Sequence, residues 1–207
     1  MSQATPLRVS ILVFDAVEVL DFAGPYEVFT TASRVHSKNN PGAGGLFEVA
    51  CVSRDGGPIQ ARAGLRVLPE HSFDNHPPCE LLLVPGGVVS AAQACPQTLA
   101  WIAHTAAGAQ ITASVCTGAF LLAASGVLRQ GRVTTHWEDV ADLRQAFPAL
   151  EVCDGPRWID NGALVTSAGI SAGIDMCLHL VARLAGPELA RLTARQMDYP
   201  WSDDAAD

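Results

Sequence analysis

The amino-acid sequence predicts an α/β fold: one domain, a mostly parallel β-sheet with helices on both faces, and a strand-turn-helix that carries a cysteine. Three observations predict it. Short apolar runs alternate with segments of helical spacing through most of the chain, which is how right-handed strand-helix-strand crossovers read. Runs such as residues 7–14 and 80–85 are almost continuously apolar, as strands covered on both faces require. The composition, 49% hydrophobic against 16% charged over 207 residues, supplies one continuous core, and a chain of this length rarely divides into two domains.

Each element follows in order. Residues 7–14 (LRVSILVF) predict a first buried strand, and 15–21 a short loop. Asp21 stands before a helix that begins with Phe22-Ala23-Gly24-Pro25 and runs to about residue 34. The Gly- and Asn-rich stretch 39–45 is a loop. Residues 47–53 form a second strand, Gly56-Gly57-Pro58 turns the chain, and a minor hairpin follows through Val67. Residues 80–85 are a third strand ending in Gly86-Gly87, 97–107 a helix, 110–115 a fourth strand, and 116–125 a helix. A short strand at 132–134 precedes a helix over 137–147, stopped by Pro148. Residues 157–160 and 163–166 are short strands around Asn161-Gly162. Ser171 caps an apolar helix to about residue 184, and Pro187 opens a last helix ending near Met197. The alternation describes a flavodoxin-like or Rossmann-like sandwich over residues 1–200, with a short acidic tail at 201–207 expected to fray.

Composition narrows the function. Net charge is −8 and Lys38 is the single lysine. Nothing offers the basic face that nucleic acid or an anionic membrane requires. No segment approaches a membrane span, and residues 1–7 do not read as a signal peptide. The six cysteines form no C-x-x-C pair and no zinc-ligand spacing with histidine, so they read as reduced thiols of a cytoplasmic protein without a metal. No Gly-x-Gly-x-x-Gly or Gly-Lys-Ser/Thr occurs, which leaves nucleotide binding without support. No cofactor is expected. Surplus apolar surface suits an oligomer interface.

In an open parallel sheet, ligands bind beyond the carboxyl ends of the strands. Asp21, Gly86-Gly87 and Cys116 all fall there. Cys116 joins an apolar strand to a helix with almost no loop; it is either a nucleophile on a strained turn, with its pKa lowered by helix amides, or one more buried apolar cysteine. Gly86 and Gly87 either present amides to a substrate or form an ordinary tight turn. Asp21 is either a helix cap or a carboxyl that carries a proton beside Cys116, its pKa raised by the neighbouring thiolate. His136, in Thr134-Thr135-His136-Trp137, either meets the thiol and pocket or simply starts a helix. The loop carrying Gly169 and Ile170 shapes the pocket or packs the following helix.

These residues resemble the ThiJ/PfpI superfamily, the class I glutamine-amidotransferase-like proteins, over roughly residues 7–200. Five motifs carry the resemblance in order: Leu20-Asp21-Phe22-Ala23-Gly24-Pro25, Leu83-Val84-Pro85-Gly86-Gly87, Ser114-Val115-Cys116-Thr117-Gly118, Thr134-Thr135-His136-Trp137, and the segment Ala168 to Asp175. They are most similar to the isonitrile hydratase branch and to the ligand-sensing domains of AraC-type regulators. The resemblance implies Cys116 as nucleophile, Asp21 as its acidic partner, Thr117 as the donor of a charge-stabilising amide, and Gly87 as a backbone donor across the pocket. It implies a homodimer acting on a small electrophile. Thr117 stands where the protease-like branch has a histidine, which argues against a peptidase. No helix-turn-helix module is expected after residue 200, so a complete AraC-type regulator is not. The implied reaction is hydration of an isonitrile to an N-substituted formamide. The alternatives are another thiol reaction on a small molecule, amidase-like or glyoxalase-like, or oxidant or ligand sensing through Cys116.

Overall fold

A computed structural model describes residues 5–201. The chain runs β1 (Leu7–Leu12), α1 (Val19–Asn39), β2 (Phe47–Ser53), β3 (Ile59–Gln60), β4 (Arg66–Val67), β5 (His71–Ser72), β6 (Leu81–Val84), α2 (Ser90–Gln93), α3 (Pro96–Gly108), β7 (Ile111–Val115) and α4 (Gly118–Ala124). It continues through β8 (Gly131–Val133), α5 (Val140–Ala146), β9 (Leu150–Val152), β10 (Trp158–Asp160), β11 (Leu164–Ser167), α6 (Ala172–Ala185) and α7 (Pro187–Gln196).

Among the described residues, seven strands form one sheet in the order β10-β11-β7-β6-β1-β2-β5. All neighbours are parallel except β10 and β11. Successive strand residues feed opposite faces, as the two-residue period demands. Val9, Ile11, Leu81, Leu83 and Ala113 join the core under α1, α6 and α7. Leu12, Leu82 and Val84 join the core on the other face, with Leu121 and Leu122 of α4 and Leu143 of α5. A strand covered twice carries no polar alternation, which is why β6 is Leu-Leu-Leu-Val and wholly buried.

This topology positions the site. From β1 the chain turns to β2 on one side; from β6 it turns to β7 on the other. The β1/β6 junction is therefore where the winding reverses, and crevices open beyond the carboxyl ends of strands at such points. The segments after β1, β6, β7 and β11, four adjacent strands, carry Asp21, Gly86-Gly87, Cys116 and Gly169-Ile170 in turn.

The differences from expectation are local. Helix α1 begins at Val19 and extends to Asn39. Pro25 lies inside it, where its missing N–H leaves the Asp21 carbonyl without an α-helical donor. The cap is Glu18, whose carboxylate accepts the Val19 amide at 3.2 Å, so Asp21 is not the cap. The helix expected at 116–125 starts at Gly118, and the one at 137–147 opens with a 3-10 turn, Trp137–Asp139. Ser171 sits at the start of α6 without a side-chain capping bond. The tail beyond Trp201 lies outside the described residues; Trp201 itself packs against the core.

The elbow between β7 and α4 depends on one close approach. A Cβ on Gly118 would collide with the Val84 carbonyl. Gly118→Ala is therefore expected to destabilise the domain by about 1–3 kcal/mol, read as a lower denaturant midpoint at unchanged slope.

Candidate active site

Cys116 follows β7 directly and has φ of +57°, a left-handed conformation that costs a non-glycine residue about 1–2 kcal/mol. Backbone bonds hold it there. Its amide is shared between the carbonyls of Ser167 at 3.3 Å and Ala168 at 3.2 Å. Its carbonyl accepts the Thr135 hydroxyl at 2.8 Å. The side chain is left at the end of the sheet, only 7% exposed.

Asp21 projects from the first turn of α1 towards the same point and has no exposed surface. Its Oδ2 accepts the Gly86 amide at 3.1 Å. Its Oδ1 is buried without a partner of hydrogen-bonding geometry, and the Cys116 thiol and the Ile170 amide are the other polar groups that act on the carboxyl. Burial pushes the Asp21 carboxyl up to about 6, against the pull of the Gly86 amide and the thiol, with Glu18 adding a like charge. The direction matches the sequence reading, but the leading cause is burial and not a thiolate.

The thiol differs from expectation more sharply. Burial, then the Asp21 charge, push Cys116 up to about 12, with Asp139 adding to the rise; the Thr117 amide opposes them. One amide does not outweigh desolvation and two carboxylates. The resting site is a neutral thiol beside a carboxylate, not a preformed thiolate.

Gly86 and Gly87 are occupied by the site itself. A Cβ on Gly86 would stand 2.5 Å from the Thr117 amide nitrogen and Oγ1 and 3.0 Å from Asp21 Oδ2, so only glycine fits. Gly87 has φ of +126°. Its amide donates to Thr117 Oγ1, and that hydroxyl lies at the same 2.9 Å from the Gly87 carbonyl. Gly87 therefore does not offer an open amide across the pocket in this conformation; its N–H is bound to Thr117. The Thr117 side chain locks two loops together, and its own amide faces the sulfur.

His136 caps the 3-10 turn after β8. Its Nδ1 accepts the Glu138 amide at 3.4 Å and lies 3.4 Å from Asp139 Oδ2. A Cβ on Gly169 would strike the His136 ring, so the ring rests on that glycine. Its hydrogen bond goes to the turn that it starts, as in the helix-start alternative, and its ring supports the loop whose next residue, Ile170 (φ +52°), turns its amide towards Asp21. Sequence reasoning missed Asp139, whose charge reaches Cys116, and did not separate Thr135 from its cluster. The three-residue spacing of His136 and Asp139 was the available signal.

A second thiol lies elsewhere. Cys95 is the residue before α3 and lines a cavity of about 190 Å³ with Arg54, Phe73 and Thr98. The Thr98 hydroxyl and amide, and then Arg54, hold it down to about 7. Iodoacetamide at pH 7.5 is expected to modify Cys95 ahead of Cys116, as peptide mapping would record. Among the described residues no group of three His, Cys, Asp or Glu side chains is placed to hold a metal ion, and no helix is long and apolar enough to cross a membrane.

Comparisons with known proteins bear on the family and the fold. The DJ-1/PfpI family model matches residues 7–183. The chain is 36% identical over 194 residues to the isonitrile hydratase of Pseudomonas putida, covering 93% of this chain and 78% of that protein. It is 29% identical over 185 residues to the HTH-type transcriptional regulator CdhR of Pseudomonas aeruginosa, covering 89% of this chain and 53% of that one, so it spans about half the regulator's length. A solved ThiJ/PfpI family protein from Pseudomonas syringae superposes with a TM-score of 0.82 at 27% identity, covering 96% of this chain and 77% of that one. Drosophila melanogaster DJ-1beta superposes at 0.78 with 16% identity, covering 95% and 100%, a likeness of fold alone.

Proposed function

This chain belongs to the DJ-1/PfpI family, and from that premise we propose that it is a hydro-lyase that adds water to a small isonitrile. The observation that carries the reading is the buried Asp21 carboxyl set against the Cys116 thiol, together with the similarity to an isonitrile hydratase.

The terminal carbon of an isonitrile, R–N≡C, accepts a nucleophile and then a proton. Cys116 attacks that carbon as its thiol proton passes to the Asp21 carboxylate. The Thr117 amide stabilises charge on the sulfur during attack. Asp21 then delivers the proton to the carbon, giving a thioimidate, R–N=CH–S–Cys116. Water adds to the same carbon as Asp21 takes one of its protons and passes it to the nitrogen, giving R–NH–CH(OH)–S–Cys116. The C–S bond then breaks as the hydroxyl proton passes through Asp21 to the sulfur; the thiol is restored and R–NH–CHO leaves. The sum is R–NC plus H₂O to the formamide, with no redox change and no cofactor. A carboxyl near 6 is suited to this traffic because it takes and returns a proton close to neutral pH.

Spectrophotometric turnover of p-nitrophenyl isocyanide tests the reading. Formation of the N-substituted formamide supports it; a folded protein that leaves the isocyanide unchanged removes it. The similarity to regulators favours a second reading, a domain that binds a small ligand without turnover. Saturable binding with no product would favour that reading, and turnover of a different electrophile would favour another thiol reaction.

A homodimer working in the cytoplasm belongs to the same proposal. Leu20, Val88, Trp137 and Ile170 are exposed apolar residues, each beside a residue of the site, and a partner covering them would also fence the pocket. Light scattering is expected to return twice the chain mass, and a monomer at micromolar concentration would withdraw the dimer.

A further inference from the structure

The elbow at Cys116 is held by bonds of unequal quality. Its amide is split between two carbonyls at 3.2 and 3.3 Å, and the Ala119 amide lies 3.5 Å from its carbonyl. The Thr135 hydroxyl, at 2.8 Å from that carbonyl, makes the shortest of these bonds. Its donor is itself well anchored. Thr135 is 1% exposed. On one side, Thr134 gives its amide to Thr166 Oγ1 at 3.0 Å and its hydroxyl to the Cys153 carbonyl at 3.2 Å. On the other, the His136 ring is seated on Gly169. The hydroxyl therefore comes from a fixed point and ends on the peptide whose φ is left-handed.

We propose that Thr135 is a positioning residue for the reaction at Cys116: its hydroxyl holds the elbow in its left-handed conformation, and thereby keeps the sulfur against Asp21. The inference rests on the hydratase reading for its effect on turnover, but not for its effect on the thiol. Without the bond, the Cys116 carbonyl keeps only the long Ala119 contact at 3.5 Å, and the peptide is less firmly held against rotation towards a relaxed φ. That rotation swings the Cα–Cβ bond and carries the sulfur away from the carboxyl. A displacement of about 1 Å at reacting atoms costs roughly 100-fold in rate. Separation from Asp21 also removes part of the repulsion that keeps the thiol protonated.

The test compares Thr135→Val and Thr135→Ala, which lack the hydroxyl, with Thr135→Ser, which keeps it. Two readouts are needed: turnover of p-nitrophenyl isocyanide, and the pH dependence of Cys116 alkylation followed by peptide mapping. The expected result is a fall in kcat of roughly 10- to 100-fold with little change in KM, and a Cys116 alkylation profile displaced to lower pH, for Val and Ala. Serine restores both. An unmoved alkylation profile in a folded Val or Ala variant would overturn the proposal, whatever the turnover. Failure of both variants to fold beside a folded Ser variant would overturn it too, because the hydroxyl would then support the domain and not the elbow. If the wild type does not hydrate the isocyanide, the hydratase reading falls, while the alkylation profile still decides the role of Thr135.

Discussion

Cys116→Ser is expected to lower kcat/KM for an isocyanide by roughly 10⁴-fold or more while leaving the melting temperature almost unchanged. The oxygen is smaller, and the left-handed backbone is held by bonds to the main chain, not by the sulfur. What is lost is chemistry. A thiol held up at about 12 still loses its proton far more readily than an alcohol and leaves more readily when the formamide forms. Serine has neither property. Cys116→Ala removes the nucleophile altogether and should be as inactive. Steady-state kinetics beside thermal melts separate this outcome from simple unfolding.

Asp21→Asn is the second large effect, and it has two signs. Activity should fall by roughly 10²–10⁴-fold, the range for removing a positioned proton carrier. Stability should rise. The folded carboxyl is raised from an ordinary 3.8 to about 6, so its protonated form is the one the fold favours. Any stability from this group is complete below about pH 4 and is lost as pH climbs through about 6. At neutral pH a buried, charged carboxylate remains, at a cost of up to about 3 kcal/mol. Asparagine removes that charge. Its gain in denaturant midpoint should be largest above pH 7 and vanish near pH 4. In the wild type, kcat/KM should rise with pH through about 6 as Asp21 ionises and becomes able to take the thiol proton; the asparagine variant should lose this limb.

Much of the fold was legible because parallel strands buried on both faces leave a simple trace. Leu-Leu-Leu-Val in β6 and the run before Cys116 announce themselves without any alternation. The elements that sequence did not reveal are the shortest: β5 has two residues, β9 three, and α2 four, too few for a period to be read. The elbow was legible for a different reason, since a strand that meets a helix with no room for a loop leaves few conformations. Asp21 was harder. Read as the residue before a helix it becomes a cap, whereas its place on the buried stripe with Pro25, Val28 and Ala32 turns it inward. The thiol's charge state was not legible. It sums burial with carboxylates from α1 and from the turn after β8, which only the fold brings together. The same holds for the Gly87 amide, whose partner, the Thr117 hydroxyl, is 30 residues away.

The proposed hydration requires that an isonitrile carbon become bonded to the Cys116 sulfur under the control of Asp21. Intact-mass spectrometry of the wild type and Asp21→Asn, quenched in acid after brief mixing with p-nitrophenyl isocyanide, tests it most directly. The expected product is an adduct equal to the whole mass of one isocyanide, confined by peptide mapping to the fragment containing Cys116. It should form quickly and clear in the wild type, and form slowly in the asparagine variant. An adduct confined to Cys95, or formamide production that persists in Cys116→Ala, would contradict it.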